Sequence, residues 1–194
     1  HRLFRRQRQM CIRDRPGAND LIDGSLAIEA LEKIGKPDVL VGQFEIPMNV
    51  NEQVFSYAYK NGVETVLNPA PANKPSDILL QNTSWFIPNE IEFEEIYGDI
   101  FNENNLLLFA KNVDTNVVVT LGEKGCAYIE NNSVKIIKAD SVKAIDTTGA
   151  GDAFVGAFSF ALASKLDIEE CLKLALKKAT DSVTKKGTQS SYKN

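Results

Sequence analysis

The spacing of apolar residues along this chain predicts helices that alternate with short strands. Leu26, Ala30, Leu31 and Ile34 recur at helical spacing, and Gly35 follows them as a stop signal. Continuous apolar runs that are rich in β-branched residues predict buried strands instead. These runs are residues 38–44, 63–67, 85–87 and 117–121.

The same pattern places further elements along the chain. One helix is predicted to open at Pro47, and another begins just after Pro88. Between 68 and 75 three prolines exclude regular structure, because proline lacks a backbone donor and restricts its neighbours. Residues 127–137 predict a hairpin whose turn is Asn131-Asn132.

Two helices are predicted near the end of the chain. Residues 150–163 are apolar nearly all round, so this helix is expected to be buried. Residues 167–180 are amphipathic and begin with a capping box made by Asp167 and Glu170. Strands that alternate with helices indicate an α/β fold with a mostly parallel sheet. Ligands of such sheets bind at the carboxyl ends of the strands.

Composition narrows the chemistry without changing this fold class. The chain has 194 residues, 43% of them apolar and 25% charged, which favours one globular domain, or two at most. No apolar run is long enough to predict a transmembrane helix. Cys11, Cys126 and Cys171 are widely spaced and the only histidine is His1, so neither a zinc site nor a disulfide framework is expected.

The charge is unevenly distributed. Residues 1–15 contain six arginines and one acid, whereas the rest of the chain has 16 lysines, 25 acids and no arginine. A basic arm that binds nucleic acid is one interpretation. A foreign segment joined to the chain, such as adapter read-through, is the other and is favoured here, because the remainder is acidic. Residues 1–15 are therefore expected to be disordered or unpacked. They lack the apolar core of a secretory signal.

The stretch DTTGAGD, from Asp146 to Asp152, is the most informative motif. The backbone N–H groups of Gly149, Ala150 and Gly151 are predicted to point free at a helix N-terminus, which suits a phosphate. Asp152 beside that anion suits a general base that accepts a proton from a hydroxyl attacking phosphorus. The alternative is that Asp146 or Asp152 only caps the helix.

Other predicted strand ends carry weaker signals. The glycines of TLGEKG, residues 120–125, fit either a nucleotide or a plain hairpin corner. Asn89 and Glu92 fall on the first turn of a helix, where a carboxylate either interacts with the helix dipole or holds Mg²⁺ through water. Gln43 and Glu45 follow another strand, where a carboxylate could accept a polyol hydroxyl or simply be solvated.

From Pro16 to Asn194 the chain resembles the ribokinase-like (PfkB) carbohydrate kinases. DTTGAGDAF is that family's second signature, and TLGEKG and the N-x-x-E of Asn89 and Glu92 match its ATP-side motifs in the same order. The segments PGAN, QFE and NPAPA resemble the ribokinase branch more than fructokinase or adenosine kinase. The segment VTKKGTQSS resembles that branch's monovalent-cation loop.

The resemblance implies a ribokinase-like three-layer αβα sandwich and ATP-dependent phosphorylation of D-ribose at its 5-hydroxyl. Asp152 is then the catalytic base at the sugar, Gly149, Ala150 and Gly151 form the anion hole, and Glu45 contacts the sugar. The implied ATP contacts are Asn89, Thr120, Leu121, Gly122, Glu123, Lys124, Gly125, Gly151 and Asp152. Glu92 acts on Mg²⁺ through water. The residues implied to surround K⁺, several of them through backbone carbonyls, are Asp146, Thr148, Ser182, Lys185, Gly187 and Ser191.

The resemblance covers the carboxyl-terminal two thirds of the family's length. It implies that the first strands, most sugar contacts and the β lid that makes a homodimer are not in this sequence. Bulky Leu176 and Lys177 stand where a small residue or asparagine is expected beside adenine. The expected partners are a sugar and ATP in the cytoplasm, with no nucleic acid or membrane. The alternatives are another sugar or nucleoside kinase of the family, and a nucleotide-binding module without turnover.

Overall fold

The sheet is the centre of the structure, a computed structural model that describes residues 17–188 together with 191 and 192. The expectation that residues 1–15 are unpacked falls outside the described residues and stays a prediction. Within the described part, one sheet contains six strands in sequence order. They are β1 (Val39–Gln43), β2 (Glu64–Asn68), β3 (Trp85–Phe86), β4 (Asn116–Thr120), β5 (Cys126–Glu130) and β6 (Ser133–Ile137).

The first four strands run parallel, and β5 and β6 add an antiparallel hairpin beside β4. Asn131 and Asn132 have φ angles of 51° and 59°, the left-handed conformation that a tight two-residue hairpin turn requires. Asparagine tolerates that conformation better than most residues do. The predicted strands and the predicted hairpin turn are confirmed.

Seven α-helices accompany the sheet in the described residues: the second to the fifth connect the parallel strands, the first precedes β1, and the last two follow β6. They are α1 (Gly24–Ile34), α2 (Met48–Lys60), α3 (Asp77–Gln81), α4 (Glu90–Tyr97), α5 (Glu103–Asn112), α6 (Ala150–Ala163) and α7 (Ile168–Val183). Helix α3 was not predicted, because its five residues are too few to show periodicity. It begins where the Ser76 hydroxyl accepts a hydrogen bond from the N–H of Leu79. Helix α5 was given no start from the sequence either. The remaining helices begin within a few residues of their predicted starts.

Alternate side chains of each strand enter two separate cores, which gives three layers. On one face, Val66, Trp85 and Val118 pack against α6 and α7, and we call this the α6–α7 core. On the other face, β-strand residues such as Phe86 pack against α2, α4 and α5. We call that face the aromatic core, and its aromatic members include Phe55, Phe86, Phe93 and Phe109.

Helix α6 is less buried than its composition predicts. Phe154, Val155 and Phe158 are buried, but the side chain of Phe160 is 68% exposed. The reason is geometric, since α6 packs on the sheet and α7 and therefore buries one face within the described residues. No helix in residues 17–188 is long and apolar enough to cross a membrane.

Candidate active site

A cleft of about 130 Å³ lies where the carboxyl ends of the strands meet the start of α6. This is the edge of the sheet at which a ligand site was predicted. The cleft brings together Asn89, Glu92, Thr120, Gly149, Gly151 and Asp152 from the predicted set. Its remaining lining residues are Asn68, Ala70, Ile87 and Val155.

Gly149 is the residue that turns the chain into α6. It is the N-cap and has a φ of 80°, in the left-handed region that favours glycine. A Cβ built at Gly149 would collide with the hydroxyl of Tyr192, which donates a hydrogen bond of 2.8 Å to the Gly149 carbonyl oxygen. At Gly151 a Cβ would meet no atom within 4 Å apart from the neighbouring backbone of its own helix. The fold therefore requires glycine at 149 but not at 151.

The three amides of this turn are not equivalent. The N–H of Ala150 donates a long hydrogen bond of 3.3 Å to the Thr147 carbonyl oxygen, so the expectation that all three amides are free is wrong for Ala150. A turn closes there before the helix begins. Within the described residues, no partner is found for the N–H groups of Gly149 and Gly151, which border the cleft.

Asp152 lies in the first turn of α6 and is exposed at the cleft. Its Oδ1 accepts a hydrogen bond of 3.1 Å from the side-chain amide of Gln43. The N-cap of α6 is Gly149, and Asp146 accepts from Thr148 and Gly187 instead. The alternative in which Asp146 or Asp152 caps the helix therefore does not match this geometry.

Gln43 and Asn68 connect Asp152 to the sheet. The Gln43 amide nitrogen also donates to Asn68 Oδ1 at 2.7 Å, and Asn68 Nδ2 donates to the Ile87 carbonyl oxygen at 2.8 Å. Asn68 was not selected from the sequence. This residue ends β2, and ligands were expected at the carboxyl ends of the strands. For the sugar, Glu45 was selected rather than Gln43. Glu45 is exposed and does not line the cleft.

Asn89 and Glu92 form a reciprocal capping box at the start of α4. Asn89 Oδ1 accepts from the Glu92 N–H, and Glu92 Oε2 accepts from the Asn89 N–H, both at 2.8 Å. Burial raises the pKa of the Glu92 carboxyl above its ordinary value, against the lowering effect of the Asn89 N–H. The Glu92 side chain thus closes the capping box and also lines the cleft.

The TLGEKG segment divides into a buried part and an exposed part. Thr120 lines the cleft, whereas the Leu121 side chain is buried in the aromatic core. Residues Gly122–Lys124 form an exposed 3₁₀ turn. Gly125 has a φ of 107°, and a Cβ there would collide with the Ile137 carbonyl oxygen, so at this glycine the hairpin-corner interpretation holds.

The loop after α7 is joined to the loop before α6. The N–H of Gly187 donates to Asp146 Oδ2 at 3.1 Å, and the ammonium of Lys185 donates to the Ser191 carbonyl oxygen at 3.2 Å. Ser182 and Ser191 are buried. The predicted cation residues therefore lie in one connected region. No cluster of three histidine, cysteine or acidic side chains suited to a metal occurs among the described residues.

The two bulky residues near the expected adenine position have different surroundings. Leu176 is buried in the α6–α7 core, and Lys177 is exposed. Leucine at 176 therefore has a packing role in this fold. An adenine contact at Lys177 stays a prediction.

Comparison with known proteins gives a consistent result. Residues 7–194 match the pfkB family of carbohydrate kinases, so the match begins inside the arginine-rich segment. The chain is 39% identical to the ribokinase of Haemophilus influenzae in an alignment of length 181 that covers 90% of this chain and 59% of that protein. It is 35% identical to the deoxyribokinase of Salmonella typhi over 182 residues, covering 91% of this chain and 60% of that one.

A solved structure gives the same answer for the fold. The ribokinase of Arabidopsis thaliana, complexed with ribose and ATP, superposes with a TM-score of 0.74 at 28% identity. The superposition covers 79% of this chain and 52% of that one. The chain thus spans about 60% of the length of the curated relatives that it matches.

Proposed function

This chain belongs to the pfkB family of carbohydrate kinases, and from that premise we propose that its cleft transfers the γ-phosphoryl group of ATP to the 5-hydroxyl of D-ribose. Ribose is proposed over other sugars because ribokinases at 33–39% identity recur among the relatives, and one structural neighbour is complexed with ribose and ATP. A deoxyribokinase at 35% identity makes 2-deoxyribose the nearest competing acceptor.

One observation carries the proposal: Asp152 lies at the start of α6 in a cleft that also contains the Gly149 and Gly151 amides. A carboxylate next to a phosphate-binding helix start repels the phosphate, and a chemical task for that carboxylate would explain why it is there. Accepting a proton from the attacking hydroxyl is such a task. The small residues beside it leave space for the phosphoryl group to approach the backbone.

In the proposed reaction, Asp152 accepts the proton as the sugar oxygen attacks the γ-phosphorus and the bond to the ADP oxygen breaks. The Gly149 and Gly151 amides would donate to the equatorial oxygens, where charge develops, and the positive end of the α6 dipole adds to their effect. Phosphoryl transfer needs little more from a protein than positioning and electrostatic stabilisation. Asn89 and Thr120, which line the cleft at the ends of β3 and β4, are proposed to hold the nucleotide.

The donor groups fit the two expected cations. Glu92 offers one cleft-facing carboxylate, and Mg²⁺ commonly takes one or two protein carboxylates while keeping its waters and the substrate phosphates. Mg²⁺ would neutralise phosphate charge there. The Asp146 carboxylate and the backbone carbonyls around Gly187 and Ser191 are hard oxygen donors of the kind that K⁺ takes. K⁺ next to Gly149 would reinforce the anion hole.

Two measurements test the proposal. Isothermal titration of the 194-residue chain with ATP, with and without Mg²⁺, measures binding. A coupled assay then compares D-ribose, 2-deoxy-D-ribose, D-fructose and adenosine as acceptors. The assay uses this chain and also a chimera in which it replaces the matching stretch of the H. influenzae ribokinase. Because the resemblance places most sugar contacts outside this chain, the deoxyribokinase of Salmonella typhi receives the same replacement. We expect this chain to raise the kcat/KM ratio of D-ribose over 2-deoxy-D-ribose in that second chimera, and an unchanged or lower ratio would refute the ribose assignment.

The second candidate function is nucleotide binding without turnover. It is favoured by the cleft lining, which contains Asn89 and Thr120 from the expected nucleotide contacts but not Glu45, the residue expected at the sugar. ATP binding by the chain, together with turnover only in the chimera, would establish this function for the 194 residues.

The proposed K⁺ site has an independent test in the same chain. The melting temperature of the 194-residue chain should rise more in KCl than in NaCl at equal ionic strength.

A further inference from the structure

We propose that Gln43 is a positioning residue that holds one carboxylate oxygen of Asp152, so that the other oxygen receives the proton. The inference rests on the proposed function, in which Asp152 is the base. It starts from the contact between the Gln43 amide and Asp152 Oδ1, which joins residues 109 positions apart in the chain. Neither the motif containing Asp152 nor the resemblance assigns Gln43 a role.

The backbone of Gln43 is fixed from both sides. It ends β1 directly beside Asn68 in the parallel register, and the next residue, Phe44, donates its N–H to the Ala70 carbonyl oxygen at 2.9 Å. The Gln43 carbonyl oxygen accepts from the side chain of Asn51, which is only 2% exposed. The side chain that reaches Asp152 therefore starts from a rigid point of the sheet.

The Ile87 carbonyl oxygen fixes which group donates and which accepts in the hydrogen bonds that lead to Asp152. The Ile87 carbonyl oxygen can only accept, so Asn68 must present its NH₂ group to Ile87 and its oxygen to Gln43. Gln43 must then present its own NH₂ group. An amide NH₂ has two hydrogens, and the second one points to Asp152. If the Gln43 amide were reversed, its oxygen would face both Asn68 Oδ1 and Asp152 Oδ1, which are themselves acceptors.

The consequence concerns the two oxygens of Asp152. Oδ1 is held as an acceptor by an amide hydrogen, and no partner of Oδ2 is found among the described residues. A proton on Oδ1 would weaken the Gln43 hydrogen bond, because a hydroxyl oxygen is a poorer acceptor, whereas a proton on Oδ2 leaves Oδ1 as a carbonyl acceptor for Gln43. The structure thus assigns Oδ2 as the oxygen that takes the proton from the sugar hydroxyl, with Gln43 fixing the carboxylate plane.

The contact can be tested in the 194-residue chain without turnover. In a ¹⁵N-labelled sample, the side-chain NH₂ pair of Gln43 is identified by its loss in Gln43→Met. We expect Asp152→Asn to shift one of the two hydrogen resonances strongly, while the hydrogen bound to Asn68 moves little. Asp77→Asn changes another exposed first-turn acid, on α3, and should move neither. If neither Gln43 side-chain resonance shifts in Asp152→Asn, the contact between Gln43 and Asp152 is overturned.

The positioning role has its own readout in the kinase assay. Gln43→Met should lower kcat about tenfold, the typical effect of losing one hydrogen bond to a charged group, with the KM for ATP within about twofold. Gln81→Met alters an exposed glutamine at the end of α3 and serves as the matched control. An unchanged kcat in Gln43→Met would overturn the role even if the contact is present.

The two proposals fail in different ways. If neither the chain nor the chimera phosphorylates any acceptor, the proposed function fails, and the NMR experiment still supports or overturns the Gln43 contact. If the wild-type protein is active and Gln43→Met retains full kcat, the proposed function stands and the positioning role of Gln43 does not.

Discussion

The two sides of the cleft are built differently. On the strand side, Asn68, Asn89 and Glu92 are already bonded to protein groups: Asn68 to a carbonyl oxygen, and Asn89 and Glu92 to each other's backbone N–H. On the helix side, the Gly149 and Gly151 amides and Asp152 Oδ2 have no partner among residues 17–188, 191 and 192. Changes on the strand side should therefore affect stability as well as activity, and changes at Asp152 should affect activity alone.

The largest expected effect is at Asp152. Asp152→Asn keeps the shape of the side chain but cannot accept the proton, so kcat in the active chimera should fall at least about a hundredfold. The melting temperature should stay within error, and ATP affinity should hold or rise slightly because a negative charge beside the γ-phosphate is removed. Steady-state kinetics, thermal unfolding and ATP titration of one preparation measure all three.

Two outcomes would contradict this assignment. A variant that keeps most of its kcat shows that Asp152 is not the base. A variant that loses ATP binding in parallel with activity shows that Asp152 has a structural role, and the contrast between the two sides of the cleft then fails.

The two glycines at the start of α6 should respond differently to substitution by alanine. Gly149→Ala places a side chain at a φ of 80° and against Tyr192, so it should destabilise the fold by about 1–3 kcal/mol. Gly151→Ala adds a methyl group that meets nothing within 4 Å beyond its own helix backbone, and alanine is a better helix former, so stability should hold or rise. Its methyl group should nevertheless weaken ATP binding.

Urea unfolding and ATP titration of both alanine variants check this pair. Equal ATP affinity in Gly151→Ala and the wild type would mean that no phosphate approaches the backbone there. Equal destabilisation by the two variants would mean that glycine at 151 serves the fold.

The strand side has a matched pair of helix caps. Asn89→Ala removes the N-cap of α4 and should cost about 1 kcal/mol of stability together with ATP affinity. Asn102→Ala removes the equivalent N-cap of α5, outside the cleft lining, and should cost a similar amount of stability with ATP affinity unchanged. Equal ATP affinities in the two variants would show that Asn89 only caps.

The sequence was informative where chemistry is local. The motif around Asp152, and the spacing of Asn89 and Glu92, predicted site residues that the fold does bring into one cleft. Gln43 and Asn68 could not be paired in the same way. Their contact depends on the register of β1 on β2 and on donor directions that begin at a backbone carbonyl.

Two other features also needed the tertiary structure. The exposed face of α6 at Phe160 depends on which neighbours pack against that helix, and its apolar composition did not reveal this. The requirement for Gly125 comes from the approach of the Ile137 carbonyl oxygen, which lies on the other strand of the hairpin. Local sequence carries no sign of either contact.

The smallest expected effect is a pH dependence at Glu92. Burial raises the pKa of this carboxyl in the folded state above its ordinary value of 4.5, so folding favours the protonated form. The stabilising contribution is complete below that value and is lost as the pH rises through the folded-state pKa. Glu92→Gln stays neutral and can still accept from the Asn89 N–H.

In Mg²⁺-free buffer, wild type and Glu92→Gln should therefore have similar free energies of unfolding near about pH 4, and the variant should become the more stable at about pH 7.5. Other titrating groups cancel in the difference, which urea unfolding at the two pH values measures. A wild type that gains on the variant as the pH rises would mean that the carboxylate is stabilised in the fold. If Glu92 serves Mg²⁺, the variant should also bind ATP more weakly with Mg²⁺ and equally well without it.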